Sequence, residues 1–196
     1  MNRPSQSTVL FVVAALASAC GERTTAPTAP VQPSFSPGNS GAKDGFGFNG
    51  SASGFPTGAV TLTGGGVYDP VTASNTIPTE TFVHSGGGFR CTAPVSQGPL
   101  SGCAEGEGVR WDTAQLLAST PFKCTGASAE AAKTATTGDH VVVLRADFYR
   151  AGDGIEESFT AKMIVSETDL DPVLPGVQNL WVEGVGCGPA VVHFSH

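Results

Sequence analysis

Val141-Val142-Val143-Leu144-Arg145-Ala146-Asp147-Phe148-Tyr149, then Arg150-Ala151-Gly152-Asp153-Gly154, then Phe159-Thr160-Ala161-Lys162-Met163-Ile164-Val165: this stretch decides the fold of the chain. Val142, Leu144, Ala146 and Phe148 alternate with Val143, Arg145, Asp147 and Tyr149, the two-residue period of a strand with one buried face. The second run places Phe159, Ala161, Met163 and Val165 on one side, with Ser158, Thr160 and Lys162 on the other. Asp153-Gly154 is a favoured hairpin dipeptide. A turn centred there pairs Phe148 with Phe159, Ala146 with Ala161 and Leu144 with Met163. It also opposes Arg145 and Lys162, a repulsion that Asp147, diagonal to Lys162, is expected to offset. Moving the turn to Gly152-Asp153 relieves that pair but buries Glu157 against Phe148, which costs more than a solvent-screened repulsion. The first register is therefore expected.

Further short runs rich in Val, Phe and Thr, bounded by Gly, Pro, Asn and Asp, lie at 45–49, 59–68, 79–84, 88–92, 108–112, 122–125, 177–185 and 190–195. Residues 112–118 and 128–134 are the two candidates for short helices. The glycine triplets Gly64-Gly65-Gly66 and Gly86-Gly87-Gly88 precede no helix, so they read as bulges or bends in strands rather than phosphate cradles. Nothing alternates strand with long helix. The expectation is an all-β fold, an antiparallel β-sandwich or barrel with at most one or two short helices.

The amino-terminal end carries an address. Arg3 precedes the apolar run Val9-Leu10-Phe11-Val12-Val13-Ala14-Ala15-Leu16-Ala17-Ser18-Ala19, which ends at Cys20. The run is shorter than the roughly 20 apolar residues that a membrane span needs. Leu16-Ala17-Ser18-Ala19-Cys20 resembles the lipobox of bacterial lipoproteins, departing from it in having Ala17 where Leu is usual, with Leu16 one place further back. The resemblance implies cleavage after residue 19, lipidation of Cys20, and export to a bacterial envelope membrane. Ala17-Ser18-Ala19 alone would also suit an ordinary secretory signal. Of the five cysteines, lipidation of Cys20 leaves an even set of four, Cys91, Cys103, Cys124 and Cys187, as an oxidising compartment favours. Cys91–Cys103 and Cys124–Cys187 are the favoured pairs among the three arrangements open to them. No two are spaced as zinc ligands, and no metal or cofactor is expected.

Residues 20–42 read as the lipidated cysteine followed by a Pro-, Thr- and Ser-rich tether, and residues 43–196 as one domain. That domain holds 8 Lys and Arg against 16 Asp and Glu, a formal charge of −8. Such a balance disfavours nucleic acid and anionic lipid heads as partners. Acyl chains, not charge, would hold the protein to a membrane.

Chemistry-bearing groups are sparse. The domain has no G-x-S-x-G elbow. His193 and His196 sit three apart in a strand-like run, on opposite faces. Gly152–Glu157 and Asp169-Leu170-Asp171 offer oxygens to calcium, but neither follows the EF-hand spacing. Arg110-Trp111-Asp112 with Asp147, Tyr149 and Arg150 is the constellation that could form a ligand face. Arg110, Trp111, Tyr149 and Arg150 would stack on and fork to a sugar. Asp112 and Asp147 would supply acid and base if the face hydrolysed one. A buried Trp111 with a structural Arg–Asp pair is the plainer alternative, and Trp181 reads as core or interface. The leading expectation is a cell-envelope lipoprotein whose disulfide-stabilised β domain binds a glycan, protein or small ligand, or serves structurally, without catalysis. The alternative is a secreted glycan-acting hydrolase.

Overall fold

A computed structural model describes residues 43–77 and 80–196. Cys20 and the tether of 20–42 lie outside the described residues. Eleven strands follow one another: β1 (Asp44–Gly54), β2 (Ala59–Tyr68), β3 (Val83–Ala93), β4 (Arg110–Leu116), β5 (Ser119–Phe122), β6 (Lys133–Thr136), β7 (Val141–Tyr149), β8 (Phe159–Ser166), β9 (Leu180–Val182), β10 (Gly186–Gly188) and β11 (Ala190–Ser195). A 3-10 turn, Pro70–Ser74, lies between β2 and β3.

Nine of these strands form one antiparallel sheet in the order β10-β9-β8-β7-β4-β3-β2-β1-β11, and β10 also pairs with β1. The sheet thus closes on itself. β10 and β11 share the same edge of β1, matching Ser53 and Gly54 with Cys187 and Gly186, and Gly45 through Gly50 with Ser195 through Ala190. They are one strand broken at Pro189, which has no amide hydrogen to give. Asn179 covers the break, its amide group accepting from Ala190 N (2.6 Å) and donating to Ala190 O (3.0 Å). Closure through β10 shortens the free edges that would otherwise invite pairing with another chain, and β11 keeps one edge unpaired among the described strands.

The hairpin of β7 and β8 has the expected register: Phe148 opposite Phe159, Ala146 opposite Ala161, Leu144 opposite Met163. The ladder ends at Phe148, however, and residues 150–158 form a wider loop than a two-residue turn. Asp153 organises that loop, accepting from Ser158 Oγ (2.5 Å) and from Arg150 Nε (3.2 Å). Arg145 does face Lys162, but its offset comes from Glu183, 3.5 Å from Lys162 Nζ. Asp147 instead accepts from Thr160 Oγ1 at 2.8 Å. Neither candidate helix forms. Residues 112–116 belong to β4, whose alternation buries Trp111 and Leu116, and 128–134 lead by a turn into β6, having no buried face of their own for a helix to pack.

Inward-facing side chains pack the barrel: Phe46, Phe48, Leu62, Tyr68, Phe89, Trp111, Leu144, Phe148, Met163 and Phe194 among them. Burial of each aliphatic or aromatic side chain contributes roughly 1.5–3 kcal/mol. The glycine triplets lie inside strands, paired with each other rather than bulged: Gly64 opposite Gly87, Gly65 opposite Gly86. They make room for Trp111. A Cβ on Gly64 would stand 2.6 Å from the indole Cζ2. The indole instead lies against this backbone, donates to Thr63 O (3.1 Å) and meets the Phe48 ring at 5.9 Å. Trp111 is fully buried, as in the plainer alternative.

A second core lies on the outer wall. The β5–β6 hairpin covers Val143, Ile164 and Trp181 with Phe122 and Ala135. Trp181 Nε1 donates to Lys123 O at 2.8 Å. Cys124 is joined to Cys187 beside it, and Cys91 to Cys103 across the barrel end. The Cα separations are 4.6 and 6.3 Å, within the span a disulfide bridges.

Candidate binding face

Strand alternation sets which side chains leave the barrel. Across β1, β2, β3, β4 and β7 one outward row reads Gly47, Gly65, Gly86, Asp112, Asp147, and the next reads Asn49, Thr63, Gly88, Arg110, Tyr149. Gly47, Gly65 and Gly86 of the first row and Gly88 of the second present bare backbone there. The β4 and β7 half carries the charged and aromatic groups singled out from sequence.

Arg110 and Tyr149 are directly paired across β4 and β7, with the guanidinium 4.0 Å from the ring centroid. Arg110 Nη1 also lies 3.6 Å from Asp112 Oδ2. Partial burial pushes the Tyr149 phenol upward, and the carboxylates of Asp112 and Asp147 push it further against the pull of Arg110. Tyr149 therefore stays a neutral hydroxyl at physiological pH, able to donate or accept. Arg150 lies past the end of β7, held by Asp153 and, at 3.6 Å, by Glu107, with its guanidinium 5.0 Å from the Phe159 ring.

Trp111 is not part of this face. It sits between Arg110 and Asp112 in the same strand, so the alternation that exposes those two turns the indole into the barrel. Asp112 and Asp147 do come together, as directly opposed residues of β4 and β7. They stand on the outer wall, Asp112 tied to Arg110 and Asp147 to Thr160, and neither lines the grooves described next.

At Gly88 lies a groove of about 400 Å³, rimmed by Asn49, Thr61 and Thr63 on one side and by Arg90, Gly108 and Val109 on the other. A second depression of about 430 Å³ shares Arg90, Gly108 and Val109 with it and extends to Glu107, Arg150 and Asp153. These volumes fall in the range of small-molecule sites, roughly 300–1,000 Å³. The wall formed by residues 106–109 is held by β-like bonds back to β3, with Cys91 N donating to Glu107 O (2.7 Å) and Gly106 N to Cys91 O (2.8 Å). The Cys91–Cys103 disulfide pins the same loop. Arg90, Asn49, Thr61 and Thr63 were not legible as site residues. They carry no motif, and only strand parity through the glycine triplets would have set them in one row.

The remaining polar clusters have internal partners. Cys124, Glu130 and Asp171 come within ligand distance of one another, but the sulfur is in a disulfide and Lys133 Nζ bridges the carboxylates, 2.7 Å from Asp171 Oδ2 and 3.6 Å from Glu130 Oε1. Ion pairing, not a metal, accounts for that cluster. Asp169 accepts from the amides of Asp171 and Gln178. Of the carboxyl-end histidines, His193 points outward beside Gly47, while His196 Nδ1 lies 3.3 Å from Asp44 Oδ1, against the ring of His140.

No protein-family model, curated protein or solved structure matches the chain.

Proposed function

We propose that this protein is an exported lipoprotein, anchored through Cys20, whose barrel binds a small ligand or glycan segment on its outer wall without chemically altering it. The observation that carries the reading is the groove at Gly88 between β1, β2 and β3, flanked by Asn49, Thr61, Thr63 and Arg90 and continuous with the Arg150 depression. Supporting it, the disulfides suit an oxidising compartment. The barrel interior is occupied by its own side chains, so the outer wall is where a ligand has access. Arg110 and Tyr149 extend the same outward row as Gly88 and would meet the far end of a longer ligand.

A glycan and metabolite binding screen on the purified full chain tests this, run in parallel on Gly88→Val. A Cβ at Gly88 would meet nothing nearer than Thr63 Cγ2 at 3.4 Å, so the side chain fits the fold but fills the groove. Ligands bound by the native chain and lost in Gly88→Val support the site. Ligands retained unchanged by that variant would place binding elsewhere and end this reading.

A further inference from the structure

We infer that the groove takes a carboxylated sugar, with the Arg90 guanidinium receiving the carboxylate; this rests on the binding reading above and names its ligand. The domain is acidic, with a formal charge of −8 over residues 43–196. In such a domain an arginine ordinarily finds a carboxylate of its own, and around this groove two do: Arg110 has Asp112, and Arg150 has Glu107 and Asp153. Arg90 has none. Its cross-strand neighbour is Thr61, and the two carboxylates of the adjoining depression, Glu107 and Asp153, are both engaged by Arg150. Arg145 also lacks a carboxylate partner among the described residues, but it stands with Lys162 and Glu183 in a separate depression whose acid is already at hand.

The surroundings of Arg90 fit a sugar better than a bare anion. A guanidinium offers a planar fork matched to a carboxylate, and two parallel bonds fix the orientation of what carries it. Opposite it, Asn49, Thr61 and Thr63 present an amide and two hydroxyls, groups that exchange hydrogen bonds with ring hydroxyls in either direction. The floor between them is Gly88, where space for a side chain exists and is left empty, and Gly108, whose φ of +114° and crowded Cβ position exclude other residues. An inorganic anion needs neither the hydroxyl rim nor the length of floor. A pyranose bearing a carboxylate uses all three.

Calorimetric titration of the full chain with oligogalacturonate, with its methyl-esterified counterpart and with inorganic phosphate tests the inference. Oligogalacturonate should bind, at least about tenfold more weakly at high salt and at least about tenfold more weakly to Arg90→Gln, with Arg90→Lys intermediate because an ammonium cannot fork. Gly88→Val, checked for an unchanged melting temperature, should abolish it. Equal binding of the esterified oligomer would overturn the carboxylate assignment while leaving the groove intact, provided Gly88→Val still blocks it. Phosphate binding as tight as the uronate would overturn the sugar. Failure of oligogalacturonate to bind, or binding indifferent to Arg90→Gln, would overturn the inference whichever ligand the wider screen finds.

Discussion

Replacing Glu130 by Gln should cost about 3 kcal/mol at neutral pH, and that loss should fade in acid. Glu130 closes the loop between β5 and β6. Its Oε1 accepts from Cys124 N at 2.6 Å, and its Oε2 accepts from Thr125 N at 2.8 Å and from Thr125 Oγ1 at 2.6 Å. Burial alone would raise its pKa. The Thr125 hydroxyl, the two amides and the nearby Lys133 outweigh that and bring the carboxyl from an ordinary 4.5 down to about 2. The side chain is only 11% exposed, so solvent screening removes little of this. At 1.36 kcal/mol per pH unit the displacement corresponds to about 3 kcal/mol of stability. Because the folded value lies below the unfolded one, that stability is fully present above about pH 4.5 and is lost as pH falls through 2. Gln cannot ionise, and its NH₂ would face donors. Urea unfolding followed by tryptophan fluorescence suits the assay, since Trp181 bonds Lys123 O beneath the same loop. The native chain should lose stability steeply from pH 5 to pH 2 and Glu130→Gln much less, so that the two curves converge near pH 2. Parallel curves, with the same gap at pH 7 and pH 2, would show that the variant acts through packing and not through charge.

Four further outcomes are expected. Trp111→Ala should cost about 3–5 kcal/mol by emptying the barrel over Gly64, and Trp111→Phe less, both measured by denaturation midpoint. Removing Cys124–Cys187, which closes a loop of 63 residues, should cost about 4 kcal/mol, and removing Cys91–Cys103, which closes 12, about 3 kcal/mol. Reducing only the second should also weaken ligand binding, because that loop walls the groove. Asp112→Asn and Asp147→Asn should each change stability by under about 1 kcal/mol, Asp112 being a half-exposed partner of Arg110, and should leave a bound glycan uncleaved as before. Loss of a measurable glycosidase activity in either variant would reinstate the hydrolase. Cys20→Ala should shift the protein from membrane to soluble fractions or block its processing, as read by fractionation and intact mass.

What was legible in the sequence was whatever a two-residue period records. The β7–β8 register followed from pairing Phe148 with Phe159 and excluding Glu157 from the core, and the bounds of β2 and β11 from runs rich in Val, Thr or Phe between Gly, Pro and Asp. Gly86 and Gly87 hide the middle of β3, which reads as a break between 79–84 and 88–92 because glycine has no side chain to show a period, and 112–118 resembles a helix because the Thr113–Gln115 bulge breaks the alternation in β4. The proposed site was half visible for the same reason. Arg110, Asp112, Asp147 and Tyr149 share one face, whereas aromatic character groups Trp111 with them and strand parity sends it inward. Arg90 and the Thr61–Thr63 rim carry no local signal, since their meaning depends on three strands being neighbours, which no local pattern states.

A chain pulled from its amino-terminal side feels that tension first at Asp44, where β1 begins. β1 is bonded along both edges, to β2 through ten residue pairs and to β10 and β11 through eight more. The groove rests on β1, β2 and β3, so traction between a held ligand and a held amino terminus would run through these ladders without crossing the rest of the barrel. Along the strand axis such a load is a shear, borne by the rungs together instead of one after another. Under the anchored, ligand-holding role proposed above, the β1 ladders would carry that load.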